Sequence, residues 1–339
     1  MAVKVGINGF GRIGRQVFKV IWETYRDSIE VVAVNDLTDD ETLAHLLKYD
    51  SVYGRFEGAI DTGDQEIIVD GVSVTSLEEP EPAKLPWGDL GVELVVESTG
   101  FFRDPADARK HIEAGAKKVI ISAPARGEGC PTFVLGVNDD GYDPEAHDIV
   151  SNASCTTNCL APMAKVLNDS FGIVRGLMTT IHSYTSGQNI LDGPHKDLRR
   201  ARSAAINLVP TTTGAAIAIG LVIPELDGKL NGMAIRVPTP TGSVVDLTVE
   251  LGEAAGRDEV NAAFEAAATE GPLADYLAYT EEPIVLQDIV GHPASCILDA
   301  DSTYEIGGDF IKVLGWYDNE WGYSCRTADL IKKMGDMGI

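Results

Sequence analysis

The chain has 339 residues, enough for two domains of ordinary size, each able to bury its own core. Asp+Glu total 52 against Lys+Arg 27, a formal net charge of −25 that would repel nucleic acid, and the acids are dispersed, as at residues 38–41 and 76–81, rather than gathered in a disordered tail. No segment is long and apolar enough to cross a bilayer, the first residues lack the charged and apolar regions of a signal peptide, and five cysteines without framework spacing point to a reducing compartment, so a soluble cytoplasmic protein without a membrane partner is expected.

In chain order, residues 3–8 form an apolar run that reads as a buried strand, and Ile13, Val17, Val20 and Ile21 then recur at helical spacing. Between them, Gly9, Gly11 and Gly14 fit G-x-G-x-x-G, in which the glycines allow a tight turn, close approach of backbone to a pyrophosphate, and helix–strand packing. The next strand, residues 31–36, ends on Asp36, some twenty residues past the last glycine. A carboxylate there accepts hydrogen bonds from an adenosine ribose and repels a 2′-phosphate, so NAD is expected, with NADP as the alternative. Thr38 and Glu41 fit a capping box for a helix through Lys48, and Pro105 fits the first turn of a helix through Ala114. Strands are expected at residues 92–96, 118–122, 132–137 and 148–151. This alternation is that of a doubly wound α/β sheet, a Rossmann-type domain spanning residues 1–154. Thr99 and Gly100, just past one strand, fall where they would line the same cleft.

Cys155 stands where an apolar run gives way to a helix-like stretch, so its thiol lies at a helix N-terminus. Unpaired N–H groups and the positive end of the helix dipole favour a thiolate there. Ser154, Thr156, Thr157 and Asn158 surround it with short hydrogen-bonding side chains, which suit an anion-handling helix start, whereas Cys159 reads as a small buried residue. The five cysteines show no metal-ligand spacing, and no metal is expected. Beyond Cys155 long strands are expected at residues 173–184, 232–237, 243–251 and 309–317, with helices at 213–221 and 258–269: an α+β catalytic domain over residues 155–318, mainly on an antiparallel sheet. Residues 319–339, helical from 320 to 337, would return to the first domain. Arg236 lies in an apolar strand, where a guanidinium needs an anionic partner.

With these residues in hand the chain resembles the phosphorylating glyceraldehyde-3-phosphate dehydrogenases. The matching stretches are residues 7–15, 151–159, 194–202, 210–216, 236–240 and 316–322, in the family's order over nearly the whole length. The resemblance implies a homotetramer that turns over D-glyceraldehyde 3-phosphate, NAD and inorganic phosphate to 1,3-bisphosphoglycerate. It implies Cys155 as the nucleophile that forms a thiohemiacetal and then a thioester, and His182 as the base, a group whose pKa near neutrality suits the task. It further implies Thr185 and Arg236 on the phosphate of the aldehyde, and Ser154, Thr156, Thr213 and Gly214 on the attacking phosphate. On the cofactor side it implies the Arg12 and Ile13 amides on the pyrophosphate, with Ser122 and Asn319 toward the nicotinamide.

Three departures bear on cofactor choice rather than reaction type: Gly187 where many members carry aspartate, Gly193 where NAD-linked members often have leucine, and Glu78-Glu79 where a basic residue is frequent. Two other readings remain open on the residues: a dehydrogenase of erythrose 4-phosphate on the same scaffold, and a dinucleotide-binding redox sensor acting through Cys155. The acidity suggests a halophilic member of the family, since salt relieves self-repulsion at this charge.

Overall fold

A computed structural model describes residues 2–339. The chain divides into two units. The first runs to Phe133 and resumes over Asp140–Ala153 and Ser324–Ile339; the second is Val134–Asp139 with Ser154–Tyr323. Ser154 thus falls with the second unit, one residue before the expected boundary.

In the first unit, β1 (Val3–Asn8) leads through the glycine turn into α1 (Arg12–Val20), which continues as a π-helical turn over Ile21–Tyr25, and then β2 (Ile29–Asn35) and α2 (Asp40–Lys48). A small hairpin, β3 (Tyr49–Asp50) and β4 (Gly54–Arg55), precedes the antiparallel edge β5 (Ile60–Gly63), β6 (Glu66–Val69) and β7 (Val72–Leu77). There follow α3 (Trp87–Leu90), β8 (Leu94–Glu97), α4 (Pro105–Glu113), β9 (Lys118–Ile121) and β10 (Ile149–Ser151). The eight-stranded order β10-β9-β8-β1-β2-β7-β6-β5 reverses direction at β1, with β2 and β8 both parallel to it. That reversal is the switch point beyond whose strand ends doubly wound sheets bind ligands. The core beneath it packs Val95, Val119, Ile121 and Trp87.

Two local expectations are corrected. Asp39, not Thr38, caps α2: its carboxylate accepts from the Thr42 amide at 2.9 Å, because a carboxylate is a better match than a hydroxyl for the positive helix end. The strand expected at residues 132–137 is a single bridge, Thr132 to Ser151. The chain then turns, and its amides are taken by side chains, Val134 N–H by Asn138 and Gly136 N–H by Asp139, instead of by a ladder.

The second unit begins with α5 (Cys155–Phe171) and β11 (Ile173–Ser183), followed by β12 (Val209–Thr212), α6 (Ala215–Val222), β13 (Leu230–Val237) and β14 (Ser243–Leu251). It ends with α7 (Arg257–Thr269), β15 (Leu277–Thr280), β16 (Cys296–Ile306) and β17 (Phe310–Tyr317). The seven strands lie in the order β12-β13-β11-β14-β17-β16-β15, antiparallel except for the β11/β13 and β15/β16 pairs. The last helix, α8 (Trp321–Asp336), lies mostly in the first unit, where Asp329 accepts from the Tyr25 hydroxyl at 2.5 Å and Thr327 from Asn152 at 3.0 Å.

The glycine turn is fixed by close packing. Gly9 has φ +92°, and a Cβ there would stand 2.6 Å from the Thr99 nitrogen; a Cβ on Gly14 would overlap the Gly9 carbonyl oxygen. A Gly14→Ala variant is expected to lose about 1–3 kcal/mol of stability by overpacking and to bind NAD more weakly, because the turn must open to admit the methyl. Thermal unfolding with and without NAD checks both.

Candidate active site

Two clusters carry chemistry, one in each unit. In the second unit the chain leaves Ala153, a non-glycine residue held at φ +55°, and enters α5 through Ser154, whose hydroxyl caps the helix by accepting from the Thr157 amide at 3.0 Å. Cys155 is therefore the first helical residue, half-buried, with its Sγ 3.5 Å from Nε2 of His182. His182 is brought there by β11, on which Met178, Thr180 and His182 alternate as buried residues. The parallel register of β11 with β13 sets His182 beside Arg236. The Nη1 of Arg236 lies 2.6 Å from His182 Nδ1 and 2.9 Å from the Ser183 carbonyl, and among the described residues its buried Nε has no partner. Behind them Tyr317, fully buried, places its hydroxyl between Thr156 at 2.9 Å and Thr180 at 2.8 Å, its ring edge-on to His182.

The electrostatics correct two expectations, a thiolate at Cys155 and a His182 that titrates near neutrality. Burial pushes the Cys155 thiol up, and Arg236 and the Thr156 contacts at the helix start only partly offset it, so the ligand-free site favours the thiol over a standing thiolate. His182 is pushed down to about 3 by burial and then by Arg236, so it is a neutral imidazole at physiological pH. A second guanidinium, Arg200, adds to that effect on His182 and lowers Arg236 as well. Arg200 is held by Thr211 Oγ1 at 2.9 Å and by Asp197 at 3.7 Å. Sequence reasoning assigned no role to Arg200 or Tyr317. Arg200 is one of three arginines in four residues, and only the fold says which of them is turned toward the histidine.

The remaining anion candidates are placed less tightly. Thr185 is exposed just past β11; the Thr213 hydroxyl accepts from the Ala215 amide at 3.2 Å, and Gly214 is the N-cap of α6. The hydroxyls of Ser154 and Thr156 are engaged in capping and by Tyr317, respectively. Asn319 lends its side-chain oxygen to Ser183 at 2.8 Å and Ser243 at 2.9 Å, which leaves its NH2 as the end that can meet a ligand.

In the first unit the carboxyl ends of β1, β2 and β8 converge. Asp36 accepts from the Phe10 amide at 2.8 Å, tying its carboxylate to the glycine turn. Glu97, fully buried, accepts from Asn8 at 2.6 Å, from the Thr99 amide at 2.9 Å and from His111, 3.0 Å away. Trp87 donates to the other His111 nitrogen at 3.0 Å, so the Nε2 proton faces the carboxylate. Ser122 Oγ donates to the Glu97 carbonyl at 3.0 Å, and Gly100 is exposed at φ +76° beside Thr99. Arg12 and Ile13 open α1, and the Arg12 guanidinium is taken by Asp50 at 2.7 Å. A cavity of about 290 Å³ lies at this convergence, lined by Gly9, Gly11, Asp36, Glu79 and Thr99 among others; nothing stands within 4 Å of a Cβ on Gly11, the open side where a pyrophosphate can approach. These residues fit a dinucleotide.

Residues 3–105 match the NAD binding domain model of glyceraldehyde 3-phosphate dehydrogenase, and residues 154–319 match the C-terminal domain model of the same enzyme. The chain belongs to the glyceraldehyde-3-phosphate dehydrogenase family. It is 59% identical over 336 residues to the glyceraldehyde-3-phosphate dehydrogenase of Streptomyces coelicolor, covering 99% of each chain. It is also 60% identical over 339 residues to that of Geobacillus stearothermophilus and 58% identical over 339 residues to glyceraldehyde-3-phosphate dehydrogenase 1 of Bacillus subtilis, covering 100% of each chain in both cases. The expected fold class, a Rossmann domain followed by a catalytic domain, is that of the family.

The depressed His182 has a consequence for stability. Its ordinary value is 6.5 and its folded value about 3, so between those pH values the unfolded chain holds a proton that the folded chain does not. The neutral form's contribution is complete above pH 6.5 and is lost as pH falls, at up to about 1.4 kcal/mol per pH unit. Denaturant midpoints from pH 7 to 4 should therefore fall less steeply in His182→Gln than in the wild type.

Proposed function

We propose that the chain oxidises D-glyceraldehyde 3-phosphate to 1,3-bisphosphoglycerate with NAD and inorganic phosphate, in the cytoplasm, with Cys155 as nucleophile and His182 as base. The observation that carries the reading is the Cys155 Sγ to His182 Nε2 approach of 3.5 Å at the start of α5, with Arg236 beside it, in a chain of this family. His182 takes the thiol proton as sulfur adds to the aldehyde carbon, returns it to the developing alkoxide of the thiohemiacetal, and takes it again as the carbonyl re-forms. Bound NAD supplies the hydride acceptor, and the product on Cys155 is a thioester. An oxygen of inorganic phosphate then attacks the acyl carbon, and Cys155 leaves as the thiolate.

Arg236 and Thr185 hold the phosphate of the aldehyde in this reading, and Ser154, Thr156, Thr213 and Gly214, with the charge of Arg200, receive the attacking phosphate. Gly9, Gly11, Arg12, Ile13, Gly14, Asp36, Thr99, Gly100, Ser122 and Asn319 serve the cofactor, Asp36 selecting NAD over NADP. Phosphate-dependent NADH production from glyceraldehyde 3-phosphate tests the reading. It should exceed the rate with erythrose 4-phosphate and vanish in Cys155→Ser, with NAD binding nearly intact. Comparable turnover by the serine variant would overturn the covalent route.

The chain also acts as a homotetramer adapted to salt. Ile190, Leu191, Leu198, Ile206 and Leu208 are all largely exposed, Leu198 at 81% and Ile206 at 80%, an apolar surface that favours burial against another copy. Four chains of −25 each repel one another, and the Debye length shrinks from about 10 Å at 0.1 M to about 3 Å at 1 M salt. Tetramer population and melting temperature should therefore rise from dilute buffer to molar potassium chloride. Sedimentation and melting series that stay flat across that range would reduce the acidity to a solubility feature.

A further inference from the structure

Three neighbouring strands of the first unit end on polar side chains that stand in one line. The parallel registers set Glu97, the last residue of β8, beside Asn8, the last of β1, and Asn8 beside Asn35, the last of β2. Every group that meets the Glu97 carboxylate is a donor. The Asn8 NH2 approaches it at 2.6 Å and the Thr99 N–H at 2.9 Å. His111 gives it the Nε2 proton, since Nδ1 accepts from Trp87, and the Thr99 hydroxyl, whose oxygen accepts from the Phe101 N–H at 3.1 Å, gives its hydrogen. A carboxylate so surrounded only accepts, and that fixes the direction of everything beyond it. Asn8 must turn its NH2 to Glu97 and its oxygen to Asn35. Asn35 must then turn its NH2 to Asn8 Oδ1, at 2.7 Å, and to the Glu79 carbonyl, at 2.9 Å, and its oxygen is left for the Glu79 N–H, at 2.9 Å.

We propose that Glu97 is the positioning residue of the cofactor cleft, and that through this one-way relay its carboxylate sets both rims of the cavity, although it reaches only one of them itself. One rim, Thr99 with Phe101 and Phe102, follows β8 and hangs directly on Glu97; the other, Glu79 and Pro80, follows β7 and hangs on Asn35. Between them the Ser98 hydroxyl donates to the Gly9 carbonyl at 2.7 Å, which ties the glycine turn to the same frame. A glutamine at position 97 breaks the direction, because it has one accepting end and one donating end: either the Thr99 N–H or the Asn8 and His111 donors then face an NH2. The rims lose their fixed spacing, and cofactor binding must restore it. NAD affinity therefore falls while the chemistry at Cys155 is spared, so KM for NAD moves and kcat does not. The relay rests on the reading that the cofactor occupies this cleft.

The test is a double-mutant cycle on the full chain, read as the Kd of NAD by calorimetry. Glu97 and Asn35 are joined through Asn8 rather than to each other, so independent roles would give losses that multiply. Glu97→Gln and Asn35→Ala should each weaken NAD by about tenfold, the effect of one buried donor left unsatisfied. The double variant should lose no more than the worse of the two, since its second change falls on a relay already broken. At saturating NAD, kcat should stay within about twofold of the wild type. A further arm leaves Glu97 in place: in Asn8→Ala, which deletes the middle link, hydrogen exchange of the Glu79 amide should accelerate by about tenfold. A double variant weakened by about a hundredfold, the product of the single losses, overturns the relay, and so does a Glu79 amide that exchanges in Asn8→Ala as it does in the wild type. Asp36→Ala judges the underlying reading. If it binds NAD as tightly as the wild type, the cofactor lies elsewhere; if it binds NAD more weakly while the Glu97 and Asn35 losses multiply, the cleft stands and the relay falls.

Discussion

The second unit is organised around an imidazole buried beside a guanidinium. Burial, and then Arg236 beside it, keeps the His182 imidazole neutral, since a second positive charge would have to form in a desolvated place next to the first. The rest of the site accommodates that constraint. The register of β11 against β13 fixes the pair, and Tyr317 ties β11 to the first turn of α5 by bonding both Thr180 and Thr156. Ser154 caps the helix that carries the thiol. Burial both raises the Cys155 thiol and keeps the His182 imidazole neutral.

The first unit solves a different problem, how to bring three strand ends and a glycine turn to one point. Its hub is a buried carboxylate. Glu97 is acceptable in the interior because Asn8, the Thr99 amide and His111 all point protons at it, and His111 is itself fixed by Trp87. Asn8 and Asn35 are joined in turn at 2.7 Å, which ties the end of β1 to that of β2. The glycine turn lies over this polar cluster, closely packed at Gly9 and Gly14 and open at Gly11. The opening faces the cavity that the dinucleotide requires.

Local features were legible in the sequence wherever one short stretch determines its own geometry. The glycine spacing and the carboxylate at the end of the second strand gave the Rossmann half, because tight turns and helix starts depend on a few consecutive residues. The same holds for Cys155, whose place at a helix start follows from Ser154 and the apolar run after it. The strand expected at 132–137 failed because Asn138 and Asp139 compete for its amides, a contest that apolar spacing does not register. The cap of α2 stands one residue from the expected one, since Thr38 and Asp39 are adjacent capping types and the carboxylate suits the positive helix end better.

The sequence by itself determined the alternation of strands and helices in the first unit, the helix start that carries Cys155, the glycine turn and, through several short stretches taken together, the family. Only the tertiary structure decided that His182 stands in register with Arg236, 54 residues away, that Arg200 rather than its neighbours acts on the histidine, and that Tyr317 braces the helix start. It also decided the protonation of the site. A helix N-terminus read in isolation favours a thiolate, but pKa values are set by everything packed around a group, and here burial outweighs Arg236 and the hydrogen bonds at the helix start.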